Sequence, residues 1–314
     1  MNIGLDMMGG DFAPLEAVKG IQLFMSDTQT DVNLFCIGDE ALVQPLMKEY
    51  NVFSPYLHFI HAPDVIGYHE HPTKALKEKQ QSSIAIGFKL LATGKIDAFI
   101  SAGNTGAMLV GAMFTIKAIE GISRPTIATI MPKITGSTGV LLDVGLNADC
   151  KPELLNQFAI LGSLYAEHIL GIQNPSVGLI NVGEEEGKGN ILAQATYPLL
   201  KENNKVRFIG NIEGRDFFAD KADVMVCDGF TGNIVLKMAE SIYDMAKQRG
   251  IESDSFFSRF HYENYGGTPI LGVAKPVIIG HGISTAKAFK NMIEVASKMV
   301  STNICAKMAE SFKA

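Results

Sequence analysis

Two stretches of the sequence share one pattern, in which a short apolar run leads into a glycine-containing polar turn and then into an apolar stretch with helical spacing. The first stretch covers 96–119, with the turn Ser-Ala-Gly-Asn-Thr-Gly at 101–106. The second covers 225–242, with the turn Asp-Gly-Phe-Thr-Gly-Asn at 228–233. A short apolar run is typical of a buried strand, so each stretch predicts a strand, a tight turn and a helix. Such units constrain the fold to parallel strands joined by helices.

The same alternation of apolar runs and helical patterns continues along the rest of the chain. It predicts an α/β fold with a mostly parallel sheet and right-handed crossovers. No Gly-x-Gly-x-x-Gly follows the first strand and no Walker-type Gly-Lys-Ser/Thr occurs, which disfavours dinucleotide binding of the usual kind and P-loop hydrolysis. The length of 314 residues fits one large α/β domain or two smaller ones. Other strands are predicted at 3–8, 32–37, 56–61, 124–131, 139–145, 176–182, 206–209 and 269–280.

Composition argues against several classes of protein. With 27 basic and 33 acidic residues, the net charge of −6 argues against a general nucleic-acid binder. The cysteines are scattered without a Cys-x-x-Cys pair, so structural zinc is not expected and the thiols fit a reducing cytosol. The N-terminus lacks the pattern of a signal peptide, and the apolar run at 107–116 is too short to span a bilayer. We therefore expect a cytoplasmic protein, and peripheral attachment to the inner face of the membrane stays open.

The two glycine-containing turns are candidates for one anion-binding site. Backbone N–H groups at a helix start bind anions, and small residues let a ligand approach the backbone. Asn104 and Thr105 are also good hydrogen-bonding residues at such a start. We predict that phosphate binds between the Asn104 and Thr231 turns. The alternative is that both turns are ordinary connections between a strand and a helix.

Two cations follow predicted strands and are candidates for contact with the anion. Lys188 lies between two glycines in the Gly-Glu-Glu-Glu-Gly-Lys-Gly-Asn loop at 183–190. Arg215 follows another strand, where a guanidinium binds anions well. Ligands of parallel sheets bind beyond the carboxyl ends of the strands, so the predicted phosphate lies within reach of Lys188 or Arg215. The alternatives are a solvated loop and a salt bridge from Arg215 to Glu213 or Asp216.

Two further loops carry candidate ligand-binding residues. Gly9, Gly10 and Asp11 follow the first predicted strand, and the alternative is a tight turn whose Asp11 caps the next helix. His281 lies between two glycines and is either an acid–base group or a structural histidine. The His-Glu-His sequence at 69–71 has no third ligand at a useful spacing, so we expect no metal site.

Seven motifs follow one another in order along nearly the whole chain. They are DMMGGDFAP at 6–14, EHP at 70–72, SAGNTGA at 101–107, NVGEEEGKGN at 181–190, NIEGRD at 211–216, CDGFTGN at 227–233 and GHG at 280–282. Together these motifs resemble those of one bacterial family, the acyl-acyl-carrier-protein:phosphate acyltransferases of phospholipid synthesis (PlsX).

The resemblance implies an activity, a fold and partners. The reaction would transfer a fatty acyl group from acyl carrier protein to inorganic phosphate, giving acyl phosphate without a cofactor or metal. The fold would be an α/β/α sandwich like those of the isocitrate and isopropylmalate dehydrogenases and phosphotransacetylase. The expected partners are acyl carrier protein, phosphate, a second copy in a homodimer, and a membrane glycerol-phosphate acyltransferase that uses the product. Two alternatives stay open: a phosphotransacetylase-like enzyme using acyl-coenzyme A, and a non-catalytic scaffold that binds acyl carrier protein or membrane.

The motifs and the strand ends together define the candidate site. We assign candidate catalytic roles to Lys188, Asn104 and Asp228. We expect phosphate or substrate to contact residues of the glycine-containing loops and strand ends, namely Gly9, Gly10, Asp11, Ser101, Gly103, Asn104, Thr105, Gly106, Lys188, Asn190, Arg215, Gly229, Thr231, Gly232, Asn233 and His281. Which group moves a proton stays open.

We predict a single acyltransferase domain over residues 1–314. One segment of it does not continue the regular pattern of strands and helices. Near 236–266 we expect a protruding helical hairpin, in which Phe256, Phe257 and Phe260 share one side of a helix. An exposed aromatic face needs cover, either from the partner subunit or from a membrane surface. Acidic acyl carrier protein would dock on a local basic patch. The candidates are Lys74, Lys77 and Lys79, or Lys247, Arg249 and Arg259.

Overall fold

The computed structural model describes residues 1–27 and 31–313 of the chain. The strands are β1 Asn2–Asp6, β2 Asn33–Gly38, β3 Leu57–His61, β4 Ala98–Ser101, β5 Thr126–Pro132, β6 Thr138–Leu142, β7 Ser176–Ile180, β8 Arg207–Ile212, β9 Val224–Val226, β10 Gly267–Leu271 and β11 Val277–Gly280. The α-helices are α1 Leu15–Asp27, α2 Glu40–Glu49, α3 Pro72–Glu78, α4 Ser83–Ala92, α5 Thr105–Gly111, α6 Pro152–Tyr165, α7 Ile191–Glu202, α8 Gly229–Gln248, α9 Ala286–Ser301 and α10 Ile304–Ser311. This confirms the predicted α/β fold with mostly parallel strands.

The chain divides into two compact units. Unit 1 consists of Met1–Ile119 and Tyr262–Cys305, and unit 2 consists of Glu120–His261 and the last residues from Ala306. In unit 1 the strand order is β3-β2-β1-β4-β11-β10, with all neighbours parallel except the β10–β11 hairpin. In unit 2 the order is β5-β6-β9-β7-β8, and only β5 runs antiparallel to its neighbour. The prediction of a single acyltransferase domain stays a prediction.

The elements of unit 1 follow from apolar patterning. Every residue of β4 is buried, as expected for a parallel strand covered on both faces. Phe88 of α4 and Phe99 of β4 pack edge to face, with ring centroids 5.2 Å apart. Helix α9 buries Phe289, Met292 and Ile293 at helical spacing, so it covers the core with one face. Burial of these large side chains stabilises the unit by roughly 1.5–3 kcal/mol each.

In unit 2, helix α6 covers the sheet with an apolar face. It buries Phe158, Leu161 and Gly162. A Cβ atom at Gly162 would lie 2.6 Å from a methyl group of Val224 on β9, so the missing side chain lets helix and strand approach closely. Asp143, which directly follows β6, is also fully buried. The close approach of α6 to β9 and the burial of Asp143 therefore belong to the packed core of unit 2.

Three local expectations differ from the structure. The apolar stretch at 269–280 was expected to be one strand, but it forms the β10–β11 hairpin, because Gly272 adopts a φ of +86° and reverses the chain. The turn residues from Gly229 onward form the first turn of α8 rather than a loop before it. Helix α5 ends at Gly111 and passes into a π-helical turn, Ala112–Ile116, rather than continuing to Ile119.

The expected helical hairpin near 236–266 is also different. After α8 the chain forms short 3-10 turns at Phe257–Phe260 and Tyr262–Asn264 instead of a regular α-helix. No helix within residues 1–27 and 31–313 combines the length and apolar character needed to cross a bilayer.

Candidate active site

Three loops meet at one edge of the unit 1 sheet. Strands β1, β4 and β11 are neighbours and run parallel, so the residues that follow them emerge at the same edge. These residues are the Gly9–Asp11 loop, the turn at 102–104 and the loop that begins with His281. The sequence predicted that these candidate residues follow strands, and the structure adds that the strands are neighbours.

A buried carboxylate connects the first two of these loops. The Ser101 hydroxyl donates to Asp6 at 2.6 Å, and the N–H of Gly103 donates to the Ser101 hydroxyl at 2.9 Å. The N–H of Met8 donates to the other oxygen of Asp6 at 2.9 Å. A Cβ atom at Gly9 would lie 2.5 Å from the nitrogen of Gly103, so only glycine allows this approach. Burial raises the pKa of Asp6, although these hydrogen bonds oppose the shift.

Asn104 is buried and uses both ends of its side chain inside the protein. Its oxygen accepts the N–H of Ala107 at 2.9 Å, which caps α5. Its amide nitrogen donates to the carbonyls of Gly67 at 2.8 Å and Glu70 at 3.3 Å, so it also holds the loop before α3. This geometry is that of a residue that positions other groups. The candidate catalytic role of Asn104 stays a prediction.

The rest of the α5 turn differs in exposure. Thr105 is exposed, while Gly106 packs directly against the ring of Pro72. The N–H groups of Thr105 and Gly106 have no partner among residues 1–27 and 31–313. These two N–H groups are free to donate hydrogen bonds to an anion, as predicted for this turn. Anion binding itself stays a prediction.

Tyr68 contacts the loops of this edge, and the sequence reasoning did not select it as a candidate. Its hydroxyl donates to the carbonyl of Ala102 at 3.2 Å. Burial and then the nearby carboxylate of Asp11 raise the pKa of Tyr68 to about 12, so the hydroxyl stays a hydrogen-bond donor at neutral pH. The N–H of Asp11 in turn donates to the carbonyl of Gly282 at 2.7 Å. Only the neighbouring Glu-His-Pro motif in the sequence pointed to this region.

Asp11 and His281 lie at the accessible rim of this edge. Gly10 has a φ of +111°, which requires glycine and turns Asp11 outward to an exposed position. His281 is also exposed, and its ring centroid lies 5.3 Å from that of Tyr262. Asp11 therefore makes a loop contact through its backbone rather than capping a helix. The acid–base role of His281 stays a prediction.

In unit 2, four neighbouring strand ends meet at one edge. Strands β6, β9, β7 and β8 are adjacent and parallel, so the residues after them emerge together. These are the loop at 143–147, the start of α8 at Asp228, the 181–190 loop and the 213–216 turn. The unit 2 edge thus contains every remaining candidate residue.

A buried frame of Asp143 and Asn147 supports the start of α8. Asp143 accepts the backbone N–H of Asn147 at 2.7 Å and its side-chain amide at 2.8 Å. The N–H of Gly229 donates to the carbonyl of Asn147 at 2.7 Å. Gly232 packs directly against the carbonyl oxygen of Asp143, where no Cβ atom fits. Neither Asp143 nor Asn147 is among the candidate residues of the sequence analysis.

Asp228 is the N-cap of α8. Its two oxygens accept the N–H of Thr231 at 2.8 Å and the hydroxyl of Thr231 at 2.9 Å. The side-chain amide of Asn233 donates to the carbonyl of Val144 at 3.1 Å. These polar groups therefore stabilise the local structure. The 20-residue helix that they begin carries a partial positive charge at this end, which attracts anions.

The two candidate cations of unit 2 differ in their contacts. Lys188 is exposed, and its side chain makes no hydrogen bond or ion pair with the part of the chain that the structure describes. The Arg215 side chain is 72% exposed and pairs with Glu213, as the salt-bridge alternative proposed. Asn190 caps α7 by accepting the N–H of Ala193 at 2.8 Å. Lys188 is therefore the cation that is available to a ligand without first breaking an ion pair.

The loop that carries Lys188 is held at several points. Lys221 pairs with Glu184 at 2.5 Å and with Asp216 at 2.9 Å. The amide of Asn211, a buried residue that the sequence reasoning did not select, donates to the carbonyl of Glu185 at 2.9 Å. These contacts connect the 181–190 loop to the 213–216 turn. They leave Lys188 free while they hold the loop around it.

The predicted phosphate site joins candidates of both units, and its composite arrangement stays a prediction. Within unit 1 the structure brings together the loops of Gly9, Ser101, Asn104 and His281. Within unit 2 it brings together the strand ends that carry Lys188, Arg215 and Asp228. In the described residues, no group of three or more His, Cys, Asp or Glu side chains is arranged to hold a metal ion.

The expected aromatic face of the segment after α8 is largely covered. Phe256 and Phe260 pack against Phe218 of their own unit, with ring centroids 6.4 Å and 5.2 Å apart. Phe260 is buried, and Phe257 stays partly exposed. The prediction of three phenylalanines on a free face was wrong, because a distant aromatic residue covers two of them.

Some candidate docking cations are already engaged. Arg259 donates to the carbonyls of Lys133 at 2.8 Å and Ser137 at 2.5 Å. Lys79 binds Glu70 at 2.6 Å and the carbonyl of Val65 at 2.7 Å. Of the two candidate patches, the structure leaves Lys74, Lys77, Lys247 and Arg249 at exposed positions.

The fold places the chain in a class of α/β proteins. Its fold is similar to that of a phosphotransacetylase from Streptococcus pyogenes, with a TM-score of 0.68 at 16% identity, covering 96% of this chain and 94% of that one. The EutD phosphotransacetylase from Staphylococcus aureus gives a TM-score of 0.65 at 19% identity, covering 96% of this chain and 94% of that one. These similarities establish a phosphotransacetylase-type fold.

The sequence comparison then identifies the family. A family model described as Fatty acid synthesis protein matches residues 1–307. The chain is 42% identical over 328 residues to the phosphate acyltransferase of Dictyoglomus turgidum, covering 99% of this chain and 97% of that protein. It is 42% identical over 334 residues to the phosphate acyltransferase of Aquifex aeolicus, covering 100% of this chain and 97% of that protein. The chain belongs to this phosphate acyltransferase family, as the seven motifs predicted.

Proposed function

We propose that this protein transfers a fatty acyl group from acyl carrier protein to inorganic phosphate and releases acyl phosphate for phospholipid synthesis. The observation that carries the proposal is the 42% identity to phosphate acyltransferases over nearly the full length of the chain. The phosphotransacetylase-type fold supports it, since two solved proteins with a similar fold are named phosphotransacetylases.

The reaction needs donors and charge more than it needs a nucleophilic side chain. A phosphate oxygen attacks the thioester carbonyl, the new C–O bond forms, and the C–S bond breaks. The thiolate of the carrier's prosthetic arm leaves and takes up a proton. Charge develops on the carbonyl oxygen during this step, so N–H groups and cations aimed at it lower the barrier. Holding phosphate close to the thioester lowers it further.

We propose a role for candidate residues of each edge. The free ammonium of Lys188 and the positive end of α8 would bind phosphate or the developing oxyanion. Arg215 would join them by exchanging Glu213 for phosphate, which offers similar bidentate geometry. Asn104 and Asp228 would act by holding the starts of α5 and α8 in place. Of the three candidates for a catalytic role, Lys188 is therefore the best supported.

A second candidate is acyl transfer from coenzyme A to phosphate. The fold similarity to phosphotransacetylases favours it, and the phosphate half of the chemistry would be the same. The two candidates differ only in the group that leaves with sulfur. Family membership favours the carrier protein, because the relatives at 42% identity are phosphate acyltransferases of a fatty acid synthesis family.

The decisive experiment measures acyl phosphate formation by the purified full chain with phosphate and two donors, palmitoyl-carrier protein and palmitoyl-coenzyme A. We expect turnover with the carrier-protein thioester and a much lower kcat/KM with coenzyme A. A preference for coenzyme A would support the second candidate. If neither donor gives acyl phosphate while both bind, the protein is a scaffold and the proposal fails.

A homodimer is a further proposal, supported by an exposed apolar stripe on α8. Phe230, Ile234, Met238 and Met245 lie at helical spacing and are each more than half exposed. Apolar surface of this kind on a helix is usually covered by a partner. Sedimentation of the wild type and Met238→Glu tests it, and a monomeric wild type would contradict it.

Peripheral membrane contact, with delivery of acyl phosphate to a membrane glycerol-phosphate acyltransferase, is also a proposal. The partly exposed Phe257 and the exposed Ile251 support a small apolar contact next to Arg249. Co-sedimentation with anionic liposomes tests it by comparing the wild type with Phe257→Glu. A wild type that stays in the supernatant would contradict membrane contact.

A further inference from the structure

Three helices of unit 1 line an open apolar pocket that the proposed chemistry does not use. Its volume is about 460 Å³, which lies in the usual range for small-molecule sites. Its walls belong to α3, α4, α5 and the π-helical turn after α5, and include Leu76, Ala85, Phe88, Ala92, Val110 and Phe114. Phe114 is 72% exposed although it lines the pocket. A ligand with an apolar chain would remove this side chain from water.

The pocket begins beside the turn that carries Asn104. Gly106, in the first turn of α5, packs directly against Pro72 at the start of α3, so these two helices begin side by side. Thr73 lines the pocket close to this beginning. Phe114 lines it about 14 Å further along, at a rise of 1.5 Å per residue from the start of α5. A substrate that reacts at the turn can therefore direct an extended tail into the pocket.

Two unpaired cations flank the apolar walls. Lys77 of α3 and Lys89 of α4 both line the pocket and are exposed. Neither ammonium group forms an ion pair or hydrogen bond within residues 1–27 and 31–313. Lysine stems cover apolar surface while their ammonium groups stay in water. The combination of an apolar interior and free cations at the margin suits an amphiphile with one hydrocarbon chain and an anionic head.

We infer that this pocket holds the acyl chain of the thioester substrate and of the acyl phosphate product, and that it sets the chain-length preference. The inference rests on the proposed function and adds the location of the chain. Each methylene group that leaves water for an apolar site contributes about fourfold to affinity. A long chain that fills the pocket is therefore bound far more tightly than a short one. The free cations attract the carboxylate of a free fatty acid that binds in the pocket.

The test narrows the pocket without touching the candidate site. Ala92→Leu and Val110→Phe place larger apolar side chains in the walls. Ala41→Leu makes the same kind of change at an exposed position of α2 and is the matched control. For each full-length variant, kcat/KM is measured with palmitoyl- and butyryl-carrier protein. Binding of palmitate itself is measured separately by calorimetry.

We expect the pocket variants to lose palmitoyl activity selectively. Their kcat/KM for the palmitoyl substrate falls tenfold or more, while that for the butyryl substrate stays within about twofold of wild type, because a short chain does not reach the altered wall. The Kd of palmitate rises tenfold or more in Ala92→Leu and Val110→Phe. Ala41→Leu leaves all three values unchanged.

A second pair of variants tests the anionic head. Lys77→Met and Lys89→Met keep the apolar stems but remove the charges. We expect them to weaken palmitate binding and to leave binding of the uncharged hexadecanol unchanged. Equal weakening of both probes would contradict the role of the two lysines.

Other results would overturn the inference. An equal loss for both chain lengths, or unchanged palmitate binding in both pocket variants, would show that the acyl chain lies elsewhere. A change of oligomeric state in Ala92→Leu, with chain-length preference unaltered, would make the pocket an interface between copies. If the wild type forms no acyl phosphate from either donor, the proposed function fails, while the palmitate titration still tests the pocket.

Discussion

The two sheet edges begin from similar sequence motifs but are built differently. In unit 1, the centre of the edge is a buried Asp6 with Ser101 and a buried Asn104, whose polar atoms are bound to each other and to loops. In unit 2, the Asp143 frame is equally buried, but Lys188 and Arg215 at the same edge are exposed. In both units the glycine turn after a strand sets the local shape, whereas the exposed charge of Lys188 lies in a neighbouring loop.

The largest expected effect is on the free energy of unfolding. It compares glycine substitutions in the two Thr-Gly pairs, at Gly106 and at Gly232. A methyl group at Gly232 meets a backbone carbonyl that is held by the Asp143 frame, whereas a methyl group at Gly106 meets the Pro72 ring at a helix start. Overpacking costs roughly 1–3 kcal/mol. We expect Gly232→Ala to lower the free energy of unfolding by about 3 kcal/mol and Gly106→Ala by about 1 kcal/mol, because the ring moves more easily than the backbone.

Urea unfolding of both variants measures these values. Gly187→Ala is the control, since a Cβ atom at Gly187 has no heavy atom within 4 Å. Equal losses of unfolding free energy for Gly106→Ala and Gly232→Ala would show that the two turns are equally rigid. The two edges would then not differ in packing.

The next prediction distinguishes the loss of a charge, at Lys188, from the loss of a residue that positions its neighbours, Asn104. Lys188→Ala and Asn104→Ala should each reduce acyl phosphate formation tenfold or more, which corresponds to about 1.4 kcal/mol in the barrier. Only Asn104→Ala should also lower stability, by about 1–2 kcal/mol, because it removes a helix cap and the bonds to the 67–70 loop. Steady-state kinetics and urea unfolding give the two quantities.

Lys237→Ala is the control for charge, because Lys237 is exposed on α8 and pairs with Glu240. It should keep wild-type activity. Wild-type rates of acyl phosphate formation in a folded Lys188→Ala variant would show that this lysine takes no part in the reaction. If Lys237→Ala lost as much activity as Lys188→Ala, both losses would reflect the overall charge of the protein rather than a specific contact with the ligand.

The smallest effect concerns the dependence of stability on pH, which should have opposite signs at the two edges. In unit 1, burial raises the pKa of Asp6. In unit 2, burial of Asp216 raises its pKa, but the N–H of Glu213 and the ammonium of Lys221 lower it more, so its pKa is below the ordinary value. A raised carboxyl pKa means stability that is lost as pH rises above the unfolded value of about 4, and a lowered pKa means stability that is lost as pH falls below it.

Urea midpoints of wild type, Asp6→Asn and Asp216→Asn between pH 3 and 7 test these signs. The stability of wild type relative to Asp6→Asn should decrease as pH rises from about 4. The stability of wild type relative to Asp216→Asn should decrease as pH falls below about 4. The same slope for both pairs would contradict the contrast.

The positions of most strands along the chain could be anticipated because buried parallel strands are nearly continuous apolar runs. Strand β4 and the start of α5 were recognisable from Ile96–Met108 alone. The hairpin at 267–280 was not, since one glycine with a positive φ reverses an otherwise uninterrupted apolar stretch. The cover of Phe256 and Phe260 was not predictable either, because their partner Phe218 belongs to a different part of the chain.

Periodicity and local backbone preferences were enough to indicate an α/β chain, its family motifs and the polar residues after each strand. They could not tell which of those polar groups are free to meet a ligand. Asn104 and Asp228 looked as available as Lys188, but they bind the loops and helix starts around them. Hydrogen-bond partners and burial depend on segments far apart in the sequence, so packing made Asn104 and Asp228 supports and left the charge of Lys188 exposed.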